Sequence, residues 1–162
     1  MGSEIERKFL VEGEAWRDEV VDSEMLVQGY LTVDRGITVR VRRSGNHAWL
    51  TIKGPAQGLT RAEFEYDISA DEAVELLGLC QGRVVEKTRH RITHVGRVWE
   101  IDEFLGRSSG LIIAEAELQD PSDGLIMPNW AGQEVSVDPK YYNASLSLAP
   151  YCTWAAQKDR KG

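Results

Sequence analysis

A series of short segments carries charge at every second position, and most segments carry one sign. EIERKFLV holds Glu4, Glu6 and Lys8; TVRVRR holds Arg40 and Arg42; WLTIKG holds Lys53; and RAEFEYDI holds Glu63, Glu65 and Asp67. VEKTRHRI adds Lys87, Arg89 and Arg91, VWEIDEF adds Glu100 and Asp102, and LIIAEAEL adds Glu115 and Glu117. Side chains two apart on a strand share a face and stand about 7 Å from each other. Like charges at that spacing repel unless something positive lies between them. Paired carboxylates suit a hard divalent cation, since Mg²⁺ and Mn²⁺ prefer oxygen ligands. Clustered Arg and Lys suit an extended polyanion, and Arg in particular suits two-point contact with phosphate. A ligand that satisfies both sets is a metal-bound polyphosphate. On this reading the positive charge between Glu4 and Glu6 is a metal ion, with phosphate oxygens near Lys8.

The elements that position these residues read mostly as strands with period-two alternation. The predicted strands are Glu4–Val11, Met25–Val33, Ile37–Ser44, Ala48–Lys53, Arg61–Ile68, Arg83–Val95, Arg97–Phe104, Leu111–Leu118 and a short piece near Glu134–Val137. A tight hairpin is expected around Gly96. Asp71–Leu79 reads as a helix capped by Ser69 or Asp71, with Ala73, Val74, Leu76 and Leu77 as its apolar stripe. Glu14–Val21 and Ala144–Ala149 are shorter helical candidates, the latter stopped by Pro150, and Gln157–Gly162 reads as a frayed tail. The competing reading of the charged rows is a sheet with one solvated face, which also alternates. Sorting of the rows by sign, the abundance of Arg and the near balance of acids and bases favour instead a closed barrel with the charged faces inward. The apolar faces then point outward and need cover. A lining this charged is costly unless water fills it and the charges compensate one another.

The totals fit one domain spanning residues 1–162: 162 residues, 42% hydrophobic, with no linker or repeat. A net charge of -7 argues against non-specific nucleic-acid binding, which relies on excess Lys and Arg, though not against a local basic pocket. Cys80 and Cys152 match no zinc spacing and build no disulfide framework, so a reducing, cytoplasmic compartment is expected. No stretch reads as a membrane span or signal peptide.

Glu4-x-Glu6-x-Lys8 near the N-terminus resembles the ExExK signature of the CYTH superfamily, the triphosphate tunnel metalloenzymes. The other rows follow in that family's order: Arg40 and Arg42, Lys53, Glu63 and Glu65, Lys87-x-Arg89-x-Arg91, Glu100 and Asp102, then Glu115 and Glu117. DPKYYNASLS is similar to its C-terminal basic-aromatic segment, with Lys140 as the basic residue and Pro139 where relatives often carry a second base. The resemblance covers about residues 4–149 and is nearest to the short inorganic triphosphatases. It implies a mainly β (α+β) fold: an eight-stranded antiparallel β-barrel tunnel with a few flanking helices. It further implies Mg²⁺ or Mn²⁺, a triphosphate-containing small molecule as substrate and cleavage of a phosphoanhydride bond; a monomer or homodimer is expected.

The resemblance implies the following roles. Glu4, Glu6, Glu115 and Glu117 bind metal. Glu63 and Glu65 either complete a second metal site or orient metal-bound water. Lys8, Arg40, Arg42, Lys53, Lys87, Arg89, Arg91 and Lys140 grip phosphate. Asp102 joins the metal set, or else Glu100 and Asp102 anchor the bases or order water. Glu4, Glu6, Lys8, Glu63 and Glu65 form the catalytic group. Tyr30 either reaches the tunnel or packs, and the tryptophans pack against the barrel. On the same scaffold, a class IV-type adenylate cyclase, a thiamine or RNA triphosphatase, and a non-catalytic polyphosphate or nucleotide binder remain alternatives. The intact acidic pairs count against the silent binder, which needs the bases but not the metal ligands.

Overall fold

The structure is a computed structural model that describes residues 2–154; the predicted tail, Gln157–Gly162, lies outside the described residues. Its strands are β1 (Glu4–Val11), β2 (Asp22–Asp34), β3 (Ile37–Ser44), β4 (His47–Lys53), β5 (Thr60–Arg61), β6 (Glu63–Ile68), β7 (Val84–His94), β8 (Arg97–Phe104), β9 (Ile112–Glu117) and β10 (Ala131–Glu134). The helices are α1 (Ala70–Leu79) and α2 (Asn143–Leu148), with short 3-10 turns at Ala15–Glu19, Gly106–Ser108 and Pro139–Tyr141. Residues 151–154 are also helical. No helix among the described residues is long and apolar enough to cross a membrane.

All pairings are antiparallel, in the order β10-β1-β9-β8-β7-β2-β3-β4-β6, and β5 pairs back onto β1. That last pairing closes the sheet. With β5 and β6 taken as one interrupted stave and β10 as an appendage on β1, the ten strands reduce, among the described residues, to a ring of eight. The break at Ala62 was not legible in the alternating run. Arg61 pairs with Glu4 on β1, whereas Glu63 pairs with Lys53 on β4, so one run serves two partners. β10 begins earlier than the predicted Glu134–Val137. Arg7 on β1 forks onto Glu134, with Nη2 and Nε donating at 2.6 and 3.0 Å, and just beyond it Val135 N donates to Lys8 O at 2.8 Å and Ser136 Oγ accepts from Lys8 N at 3.0 Å.

Two-residue turns set two of the hairpins. Arg35 and Gly36 have φ of 50° and 80°, and Val95 and Gly96 have 49° and 75°, the left-handed pair whose twist matches antiparallel strands. Gly29 in β2 answers to packing instead: a Cβ there would lie 2.6 Å from Cys80 Sγ.

The barrel is apolar outside and charged inside. Helix α1 starts with a capping box between Ser69 and Glu72, then lays Ala73 and its C-cap Cys80 against Val41 and Ala48. The outer faces of β1, β7, β8 and β9 bury Phe9, Ile92, Trp99, Ile101, Ala114 and Ala116 under Trp16 and Trp130. Trp99 faces outward as the parity with Glu100 requires, and meets Trp130 edge-on at 5.5 Å. At one end the inward rows turn apolar: Val85, Phe104, Leu111 and Ile113, with Leu10, pack on Leu146 of α2 and floor that part of the lumen.

Candidate active site

Strand parity brings the inward rows to a cavity of about 480 Å³. Glu4, Glu6, Lys8, Arg40, Arg42, Lys53, Glu63, Glu65, Lys87, Arg89, Arg91, Glu100, Glu115 and Glu117 all line it. The sheet register then separates the signs. β3 and β7 carry the bases; β1, β6 and β9 carry most of the acids.

On the basic wall, Arg40 and Arg42 are short of partners. Arg40 Nη2 donates to Thr51 Oγ1 at 3.2 Å, and Glu65 Oε2 lies 3.7 and 3.8 Å from the two guanidinium groups. The Nε atoms of both arginines are buried without a hydrogen-bond partner. Burial, followed by repulsion from Arg40 and Arg89, pushes Arg42 down to about 10. Buried donors left unpaired are costly, and an anion in the lumen would satisfy them.

Asp102 departs from the expected metal set. It is fully buried and absent from the lining. Its Oδ1 accepts from Arg89 Nε at 2.8 Å, and its Oδ2 accepts from Lys87 Nζ at 2.7 Å and Arg89 Nη2 at 2.9 Å. Burial favours the neutral carboxyl, but Arg89 and Lys87 outweigh it and hold Asp102 well below the usual carboxylate range. Both oxygens are engaged, so its place is that of an anchor holding two bases toward the lumen. Arg89 reaches onward to Glu100 at 3.1 Å and Glu115 at 3.6 Å.

The acidic wall has the opposite shortage. Lys53 Nζ lies 2.5 Å from Glu4 Oε1 and 3.7 Å from Glu63 Oε2. Lys8 Nζ lies 3.5 Å from Glu6 Oε1 and 3.7 Å from Glu115 Oε1. Burial opposes the charge on Lys8, but Glu6 and Glu115 hold it well above the ordinary lysine range. Glu63 Oε2 is buried without a hydrogen-bond partner. Burial and the neighbouring Glu63 raise Glu4, against the pull of Lys53; burial, Glu4 and Glu6 raise Glu117. Among the described residues no three carboxylates converge closely enough to hold an ion in this arrangement. Lysine ammonium groups stand between them instead. A set of hard oxygen donors, two of them (Glu4 and Glu117) with pKa pushed up by burial and neighbouring carboxylates and one (Glu63) with an orphaned oxygen, fits a divalent cation.

Two predicted phosphate residues lie apart from the buried bases. Arg91 is at the rim, 31% exposed, and is held by Asp22 at 3.0 Å and Glu24 at 2.7 Å. Lys140 is outside the lining, with its Nζ over the rings of Tyr141 and Trp154 at 5.2 and 5.1 Å. Conversely, Trp49 packs inside the lumen, where Arg42 lies over its ring at 5.6 Å. Tyr30 lines the lumen, and its hydroxyl accepts from Gln28 Nε2 at 3.0 Å. Sequence reasoning missed Glu24, Ser136, Tyr142 and Asn143, all of which line the cavity. Tyr142 and Asn143 follow no alternation; only the docking of α2 brings them in.

A closed barrel with a lumen divided by charge defines the class, and residues 2–151 match the CYTH domain: the chain belongs to the CYTH family. Membership implies a divalent metal at the site. The chain is 43% identical over 152 residues to an inorganic triphosphatase of Acetivibrio thermocellus, covering 93% of this chain and 97% of that one. It is 37% identical over 151 residues to an inorganic triphosphatase of Nitrosomonas europaea, covering 91% and 98%. The crystal structure of an inorganic triphosphatase superposes with a TM-score of 0.63 at 35% identity, over 89% of this chain and 97% of that one.

Proposed function

We propose that this protein hydrolyses inorganic triphosphate inside the lumen with the help of Mg²⁺ or Mn²⁺, releasing orthophosphate and pyrophosphate. The observation that carries this reading is the complementary shortage across one cavity: guanidinium Nε donors without acceptors on one wall, carboxylates without enough positive charge on the other. The names of the relatives support it.

The metal-holding residues are Glu4, Glu6, Glu115 and Glu117, with Glu63 supplying its orphaned oxygen and Glu65 beside it. A divalent ion bound there would neutralise phosphate charge and make water more acidic. The chain's own residues do the rest. Arg40, Arg42, Lys87 and Arg89 hold the phosphate chain, and Arg91 meets it at the rim. Asp102 keeps Lys87 and Arg89 aimed and charged. Lys8 and Lys53 are paired with Glu6, Glu115 and Glu4, and with a cation held by those acids they would be free to meet phosphate. Glu63 and Glu65 orient the attacking water in line with the scissile P–O bond. The water oxygen bonds to phosphorus, the bridging oxygen leaves with the electron pair, and the water proton passes to a carboxylate. The free thiols Cys80 and Cys152 are in keeping with a cytoplasmic compartment.

The test is a phosphate-release panel with inorganic triphosphate, ATP, thiamine triphosphate and pyrophosphate, each with and without divalent metal. Metal-dependent release, fastest from inorganic triphosphate, is expected. Cyclic AMP from ATP without orthophosphate would overturn the reading.

A further inference from the structure

Helix α2 does more than floor the barrel. Its first residue, Asn143, points into the lumen rather than capping its own helix, which has no side-chain cap. Asn143 Oδ1 accepts from Lys87 Nζ at 2.9 Å and from Gln28 Nε2 at 3.2 Å. An ammonium group only donates, so the atom facing Lys87 must be the amide oxygen. That contact fixes the amide's orientation. Among the described residues the Nδ2 group donates no hydrogen bond, and it is not among the buried unpaired atoms, so on a residue that lines the lumen it is accessible to a ligand there. The preceding residue, Tyr142, sets its ring 5.4 Å from Lys8 Nζ. Two successive residues of one segment thus touch two different bases of the lumen.

We propose that Asn143 is a substrate-contacting residue at the floor of the site: its Nδ2 donates to a phosphate oxygen while its Oδ1 positions Lys87 to grip the same group. The inference rests on the triphosphate reading above. It gives the floor a neutral donor among charged ones, so a phosphate there meets both Lys87 and a directional hydrogen bond. Gln28 backs the arrangement from behind, bridging Asn143 to the Tyr30 hydroxyl.

Asn143→Asp separates contact from architecture. The variant keeps the shape, still accepts from Lys87 and Gln28, and gains an ion pair with Lys87, so a merely structural Asn143 would be preserved. It replaces the free donor with an acceptor that repels phosphate. Triphosphate binding to the metal-free protein is measured by calorimetry, alongside the melting temperature and steady-state kinetics. Affinity should fall about 10- to 100-fold, the loss of one hydrogen bond to a charged group, with the ligand-free melting temperature unchanged or raised. Asn143→Ala should lose affinity less than Asn143→Asp, since it removes the donor without adding repulsion. Native affinity in Asn143→Asp would overturn the proposal and leave the triphosphatase reading standing. A native chain that neither binds nor cleaves triphosphate would overturn both.

Discussion

Asp102→Asn tests the division of labour inside the barrel, because the two roles open to Asp102 predict opposite signs. As an anchor, Asp102 compensates two buried cations through three hydrogen bonds of 2.7 to 2.9 Å. The asparagine keeps the shape but loses the charge and turns an amide N–H₂ toward a group that only donates. Breaking a buried pair from one side costs about 3–5 kcal/mol. Domains of this kind are stable by about 5–15 kcal/mol, so the loss is a large fraction of the whole. At about 2–4 °C per kcal/mol for a chain of this length, the melting temperature should fall by roughly 6–20 °C without metal or substrate. Triphosphate should recover part of the fall, since its oxygens supply counter-charge to Lys87 and Arg89. If Asp102 were a spare acid awaiting a metal, neutralising it would relax the acidic wall, and the melting temperature would hold or rise. That result in calorimetry would refute the anchor. The native protein adds a check of sign: a carboxyl held below its unfolded value stabilises the fold above pH of about 4 and loses that contribution as pH falls further.

The other predictions concern the two walls. Glu115→Gln, which removes a charge 3.7 Å from Lys8 and 3.6 Å from Arg89, should keep the fold and cost on the order of 100-fold or more in kcat; full turnover at saturating Mg²⁺ would remove Glu115 from the site. Arg40→Ala should lower kcat/KM by about 10- to 100-fold, whereas Arg43→Ala, whose Nε donates outside to Gly45 O at 2.9 Å, should change little; equal damage would break the strand parity. Mg²⁺ or Mn²⁺ at a hundredfold excess over Kd should add about 2.7 kcal/mol of stability, or roughly 5–10 °C. Glu4→Gln with Glu6→Gln should abolish that rise, and a retained metal response would make both ordinary charges.

Strand parity was legible in the sequence because it is local. Each alternating run assigns its own side chains to two faces, and the bounds of β1, β3 and β8 came out as the alternation placed them. What parity does not contain is who stands opposite. Glu115 and Asp102 sit in similar rows, yet Glu115 faces the open lumen while Asp102 is sealed between Lys87 and Arg89. The difference comes from depth along the barrel, set by stagger between strands. Lys140 shows the same limit from the other side. Its neighbours Tyr142 and Asn143 enter the cavity, while its own chain folds back over Tyr141 and Trp154. A single turn of backbone separates a lining residue from an exposed one, and no spacing rule reports it.

An interior so charged needs its stability from elsewhere, and the outer surface supplies it. Trp16, Trp99, Trp130, Phe9 and Ile101 are buried against the barrel's outside, and Val41, Ala48, Ala73 and Cys80 under α1. Each large apolar side chain so buried contributes about 1.5–3 kcal/mol. The lumen is thereby relieved of the usual duty of a core. Its arginines can stay short of acceptors and its glutamates short of cations without unfolding the chain. The same inversion explains why the two walls do not simply collapse onto each other. Lys8 and Lys53 pair with acids beside them on the acidic wall, Glu6, Glu115 and Glu4, while the staves hold Arg40 and Arg42 beyond hydrogen-bond reach of Glu65. A core packed for stability would close that gap. A barrel stabilised from outside keeps it open, and the gap is where a phosphate chain with its cation fits.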